Sequence, residues 1–249
     1  MRCLKLTLAY DGTAYAGWQK QPGCSTVQGT LEKALARVTG ERIVPVASGR
    51  TDAGVHALAQ VVSLSAETQL AHDVLQRALN ANLPQDIAVL DVAPAPEGFH
   101  AIRDTRSKRY RYVIQDGGVR DVFARLYTWH VYKPLCLEDM QGAARVLLGR
   151  HDFASFQAAG SQRKTTVRTI THLDVVRAPA ELGSRITIEV EADGFLYNMV
   201  RNIVGTLVEI GRGERPPQEM AEILAARDRK VAGMTAPPHG LFLIKVECV

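Results

Sequence analysis

Apolar positions in the first part of the chain switch repeatedly between a two-residue and a helical period. Leu4, Leu6 and Leu8 alternate with Lys5 and Thr7, which predicts a half-buried strand over Arg2–Ala9. A loop containing Gly and Asp follows over Tyr10–Thr26. Leu31, Ala34, Leu35 and Val38 then recur at helical spacing, so Val27–Val38 reads as a helix with Gly40 beyond its end. Strands around Ile43–Ala47 and Ala59–Ser65, a helix over His72–Asn80 and a strand over Ile87–Val92 complete the order β-α-β-β-α-β.

The second part repeats that order in outline. Lys108–Gln115 reads as a strand and Glu138–Leu148 as a helix, with strands next around Val167–Arg177 and Ile186–Ala192. A long apolar helix is expected over Phe195–Ile210, a shorter one near Gln218–Arg227, and a closing strand over Leu241–Glu247. The expected fold class is α+β. Two ferredoxin-like β-α-β-β-α-β halves would form one mostly antiparallel sheet flanked by helices. Pro94 and Pro96 mark the join, dividing the chain into residues 1–103 and 104–249.

Composition narrows the classes without choosing among them. A hydrophobic share of 46% and a charged share of 22% suit a folded chain and argue against disorder. Basic residues exceed acidic ones by only 30 to 26, so the placement of charge matters more than its sum. The four cysteines stand far apart and suggest neither a zinc site nor a disulfide framework. Met1 leads directly into the first strand, and no run reaches the ~18 apolar residues of a membrane span. A cytoplasmic location with no membrane partner is expected.

The most informative loop is Ser48-Gly49-Arg50-Thr51-Asp52-Ala53-Gly54-Val55-His56-Ala57, lying between two expected strands. Its two glycines allow a tight turn, and Asp52 stands at the middle with Arg50 two residues earlier. A carboxylate so held can be a nucleophile, a general base, a metal ligand or a turn-stabilising acceptor. His56 lies four residues after Asp52, but no second carboxylate or histidine stands at ligand spacing, and no phosphate-loop or dinucleotide signature is present. Metal and nucleotide-cofactor chemistry lose most of their support.

Arg201 is the only charge between Asp193 and Glu209 in the apolar stretch after Gly194. A guanidinium carried into a core requires a carboxylate and further acceptors. Asp52 is one candidate partner; Asp193, Glu209 and solvent are the others. A pair with Asp52 would hold that carboxylate ionised at neutral pH and fix its rotamer. Between Arg103 and Tyr112 lie five basic residues and two tyrosines in ten positions. On a strand, Lys108, Tyr110 and Tyr112 share one face, which suits phosphate contact and base stacking. Arg163 and Lys164 are further candidate phosphate contacts. A solvated strand with packing tyrosines explains the same pattern.

Taken together, these segments resemble the TruA family of tRNA pseudouridine synthases over nearly the whole chain. Gly49–Ala57 is similar to that family's catalytic loop. Supporting matches are Tyr15–Gln19, Asn80–Pro84, Phe99–Ala101, Ser107–Tyr112, Phe195–Gly205 and Gly240–Leu243. Cys248 departs from the family, where many members carry an aromatic residue. The resemblance implies a pseudouridine synthase fold, with Asp52 as nucleophile, Tyr110 stacking on the target base and Arg201 holding the Asp52 carboxylate. It assigns Arg50 to the space left by the flipped nucleotide, and Leu241 or Leu243 to the wall of the uracil pocket. It further implies action on uridines of the tRNA anticodon arm (positions 38 to 40), no metal or organic cofactor, and a homodimer. A non-catalytic RNA-binding protein would explain the basic strand but not the acid in its two-glycine turn. A methyltransferase would need a cofactor loop that the sequence lacks.

Overall fold

The computed structural model describes residues 1–160, 165–180 and 182–249. In chain order the elements are β1 (Arg2–Tyr10), α1 (Val27–Thr39), β2 (Val46–Ala47), β3 (His56–Ala66), α2 (His72–Asn82), β4 (Ile87–Pro94) and β5 (Thr105–Asp116). There follow β6 (Trp129–Val131), α3 (Leu137–Arg145), β7 (Gly149–Asp152), β8 (Val167–Pro179) and β9 (Ser184–Ala192). The chain closes with α4 (Met199–Gly211), α5 (Glu219–Ala226) and β10 (Leu241–Cys248). Single 3-10 turns lie at Ala154–Phe156 and Pro238–Gly240. The class is mixed α+β, as the periodicity predicts.

Two compact units divide the chain: Met1–Arg106 with Phe242–Val249, and Ser107–Leu241. In the first, β1 pairs antiparallel with both β3 and β4, the short β2 pairs antiparallel with β3, and β10 joins β3 in parallel. Leu4, Leu6, Leu8 and Tyr10 of β1 all point to the buried side, where Leu31 and Leu35 of α1 and Leu75 and Leu79 of α2 are also buried. Removing such a leucine would cost about 2–5 kcal/mol through lost transfer energy and the cavity left behind. Thr26 caps α1 by accepting the Gly29 N–H, and Gly40 ends it in the left-handed region at φ 76°.

In the second unit β5 pairs antiparallel with β9, β9 with β8, and β8 with β7, while β6 runs parallel to β5. Tyr112 and Ile114 of β5 and Ile186, Ile188 and Val190 of β9 are buried with Phe153, Phe156 and Met140. Helix α4 is buried around nearly its whole circumference, as its apolar sequence requires.

Several boundaries differ from expectation, among them the start of β5 at Thr105 rather than Lys108 and the end of α3 at Arg145 rather than Leu148. Only Val46–Ala47 of the segment 43–47 forms ladder bonds, because Pro45 has no N–H to donate. Strand β3 begins three residues early, at His56, so the Asp52 loop runs straight into it. The apolar helix starts at Met199 rather than Phe195. Asn198 is left-handed (φ 58°, ψ 11°), and the Tyr197 carbonyl accepts the Ala158 N–H instead of continuing a helix. Strands β6 and β7, three and four residues long, carry too little pattern to be foreseen.

Candidate active site

Loop 49–55 is fixed to its surroundings on several sides within the first unit. The Thr51 carbonyl accepts the Trp18 N–H at 3.0 Å, and the Gly54 N–H donates to the Tyr15 carbonyl at 3.3 Å. Inside the turn, Val55 N–H donates to the Asp52 carbonyl at 3.1 Å, with Gly54 at φ 76° supplying the reversal. The backbone therefore holds the Asp52 position from both flanks.

Two glycines of the preceding loop explain how it approaches so closely. A Cβ on Gly17, whose φ is +88°, would meet the Thr51 carbonyl oxygen at 2.6 Å. One on Gly12 would stand 2.0 Å from the Val55 carbonyl oxygen. The Gly12 N–H donates to His56 Nδ1 at 3.0 Å, and that nitrogen lies 3.1 Å from Asp11 Oδ1. The buried His56 ring stacks on Phe242 with centroids 4.7 Å apart. The matched segment Tyr15–Gln19 thus acts as a cradle for the acid loop.

Beneath the loop lies a buried polar network. Tyr10 Oη and Thr51 Oγ1 are 2.8 Å apart, Gln60 Nε2 donates to the Gly49 carbonyl at 2.8 Å, and Ser48 Oγ donates to Gln60 Oε1 at 2.7 Å. Burial pushes the Tyr10 phenol up to about 12, against the smaller opposing effects of its bonds to Thr51 and Gln60. Each buried polar group here meets another, which rigidifies the turn. Gln60, Tyr10 and Gly12 are site residues that the sequence pattern does not single out. Gln60 does leave a trace there, as a polar residue inside the apolar run Ala57–Leu64.

The expected site residues within the described part of the chain each have a definite place. Asp52 is half-buried and Arg50 is exposed at the start of the loop. Leu243 is buried on β10 opposite Ala57, next to the point where the loop enters β3. In the second unit, Tyr110 is buried on β5 opposite Val190, and its ring meets Phe195 edge-on with centroids 5.1 Å apart. Lys108 is half-buried opposite Ala192, and Leu241 is buried at the start of β10. Arg163 and Lys164 lie outside the described residues.

Arg201 lies in the first turn of α4. Its Nε donates to the Ala236 carbonyl at 2.7 Å and its Nη1 to Asn198 Oδ1 at 3.0 Å. Two carboxylates weighed as its partners have other bonds: Glu209 accepts from Arg215 at 2.8 Å, and Asp193 Oδ1 accepts the Thr169 N–H at 3.0 Å. The basic strand is less basic than its sequence. Arg109 bonds Glu191 at 2.6 Å and Arg111 bonds Glu189 at 2.6 Å, each pair lying directly across the β5–β9 ladder. Each of these arginines is thus balanced by a glutamate across the ladder. Among the described residues, no group of three or more His, Cys, Asp or Glu side chains is placed to hold a metal ion.

Residues 7–103 and 143–247 match the family described as tRNA pseudouridine synthase. The tRNA pseudouridine synthase A of Moorella thermoacetica is 50% identical over 249 residues, covering 99% of this chain and 100% of that protein. That of Pelobacter propionicus is 48% identical over 246 residues, covering 99% of each. The enzyme of the same name from Shouchella clausii is 49% identical over 241 residues, covering 96% of this chain and 91% of that one. With matches of this identity running along nearly its entire length, the chain belongs to the tRNA pseudouridine synthase family.

Proposed function

We propose that this protein is an isomerase converting uridine to pseudouridine in tRNA, acting on the anticodon arm at positions 38 to 40, with Asp52 as its nucleophile. The observation that carries the reading is the clamped two-glycine loop, which presents one half-buried carboxylate from a backbone bonded on both flanks. Family membership supports the reaction class. The alternative, a non-catalytic RNA-binding protein, leaves that loop unexplained and is not favoured.

The reaction breaks the N1–C1′ bond, turns the uracil and rejoins it through C5. Atoms are conserved and no electrons enter or leave, so no redox partner or group donor is required. The target base must leave its stack, at a cost of a few kcal/mol. In this reading Tyr110 stacks on the base, Leu241 and Leu243 wall the uracil, and Arg50 occupies the vacated space. Arg201 provides the positive charge that keeps the Asp52 carboxylate ionised and oriented. Attack of that carboxylate at C1′, attack at C6 of the base, and abstraction of a ribose proton to give a glycal all use the same placement. Lys108, Arg163 and Lys164 contact phosphates, so that shape and backbone dominate recognition over base edges. The halves 1–103 and 104–249 are read as two ferredoxin-like repeats, and the working enzyme as a cytoplasmic homodimer. Among the described residues no helix is long and apolar enough to cross a membrane.

The test uses a tRNA transcript tritiated at uridine C5, without added cofactor. Wild type is expected to release tritium and form pseudouridine, while Asp52→Asn binds the tRNA and releases none. Turnover of Asp52→Asn near wild type would end the nucleophile assignment. Tight binding without release by wild type would favour the RNA-binding alternative.

A further inference from the structure

Residues 228–237 form a strap along α4 in the second unit, tied down more heavily than a connecting loop requires. Its backbone rests on the helix itself, since a Cβ on Gly205 would meet the Met234 carbonyl oxygen at 1.7 Å. Asn202 of α4 is fully buried and bonds through both ends of its amide. Its Nδ2 donates to the Phe156 carbonyl at 2.8 Å, and its Oδ1 accepts from Thr235 Oγ1 at 2.7 Å and Arg229 Nη2 at 3.1 Å. Thr206 Oγ1 accepts the Gly233 N–H at 3.0 Å.

The residue after Thr235 is the one that touches Arg201. The Ala236 N–H donates to the Arg201 carbonyl at 3.1 Å, and the Ala236 carbonyl accepts from Arg201 Nε at 2.7 Å. One residue further, the Pro237 carbonyl accepts from Tyr112 Oη at 2.7 Å. An apolar residue at 202 would pack as well and avoid burying an amide, but it could not set the strap's register along the helix. A guanidinium whose Nε is held by one backbone carbonyl inherits the position of that carbonyl. We infer that Asn202 and Thr235 are positioning residues for Arg201, setting its guanidinium through the Ala236 carbonyl of the strap. This rests on the reading above that Arg201 serves the reacting carboxylate.

The test compares Thr235→Val, Thr235→Ser, Arg201→Gln and the double variant Thr235→Val/Arg201→Gln in tritium release from the tRNA transcript, with melting curves for each. Valine keeps the branched shape of threonine and puts a methyl group in place of the hydroxyl. Thr235→Val is expected to lower kcat about ten-fold with KM within about two-fold, and Thr235→Ser to restore it. In the Arg201→Gln background the valine substitution should add nothing, because residues acting through one group are not additive. If Thr235→Val fails to fold, Arg229→Gln removes the two bonds from Arg229 Nη2 to Asn202 Oδ1 and Thr235 Oγ1 from a half-buried position and carries the same expectation. Equal losses from Thr235→Val with and without Arg201 would show a merely structural role and overturn the inference. Wild-type kcat in Arg201→Gln would instead overturn the role of Arg201 itself, and the inference with it.

Discussion

Gly12→Ala asks how much the reaction depends on the seating of the acid loop. The new methyl would stand 2.0 Å from the Val55 carbonyl oxygen and 2.6 Å from its carbon. Both are backbone atoms, so no side chain can swing away. To reach the 3.0 Å that real Cβ contacts respect, the two loops must part by about 1 Å. The far side of the turn cannot absorb this quietly, because Trp18 N–H and the close approach at Gly17 hold Thr51. The displacement therefore passes through Asp52. Misplacement of a reacting group by ~1 Å costs roughly 10²-fold in rate.

Stability should fall far less dramatically. Overpacking costs about 1–3 kcal/mol, and weakening the Gly12–His56 bond about 1 kcal/mol more. At roughly 2–4 °C per kcal/mol for a chain of this size, the melting temperature should drop by about 4–16 °C. Gly40→Ala is the control. It strains a left-handed helix cap with no atom within 4 Å of the new methyl, and should cost stability of about 1–2 kcal/mol without loss of kcat. The assay is single-turnover tritium release with saturating enzyme, below the melting range of both variants. A Gly12→Ala enzyme that melts early but keeps its single-turnover rate constant within about three-fold of wild type would refute the reasoning that backbone seating controls Asp52.

The charge pattern predicts a contrast in tRNA binding. Arg109→Ala and Arg111→Ala should leave the dependence of log K on log salt near wild type, whereas Arg163→Ala or Lys164→Ala should each reduce its slope by about 0.7–0.9. Filter binding between low and moderate salt measures this, and a reduced slope for the β5 arginines would contradict their neutralisation by Glu189 and Glu191. Alkaline stability should also decline in a defined window. An unfolded phenol ionises near 10, while burial holds Tyr10 protonated to about 12. Its contribution is whole below pH 10 and is lost as pH rises from 10 to 12, at about 1.4 kcal/mol per pH unit. Tyr10→Phe should flatten that part of the denaturation profile, and an unchanged profile would show that the phenol does not titrate with unfolding.

Much of this molecule is legible in its amino-acid sequence alone. Alternation in β1 and helical spacing in α1 locate both elements within about a residue, because one face of each is buried and the other is wet. The glycine-bracketed acid loop and the lone arginine in an apolar stretch also stand out, since each breaks a local rule that only function or burial would justify.

What the chain alone does not disclose depends on contacts between residues far apart in sequence. Nothing local says that Asn198 turns left-handed and starts α4 late, or that Glu189 and Glu191 cancel Arg111 and Arg109 across a ladder. The Gly12 and Gly17 cradle, the Gln60 network and the strap that holds Arg201 are equally invisible in one dimension. Periodicity records which side of an element avoids water, and that is a property of each segment by itself. Which buried donor meets which acceptor is decided only when distant segments pack to within hydrogen-bond distance, because the cost of leaving such a group unmet arises only after water has been removed.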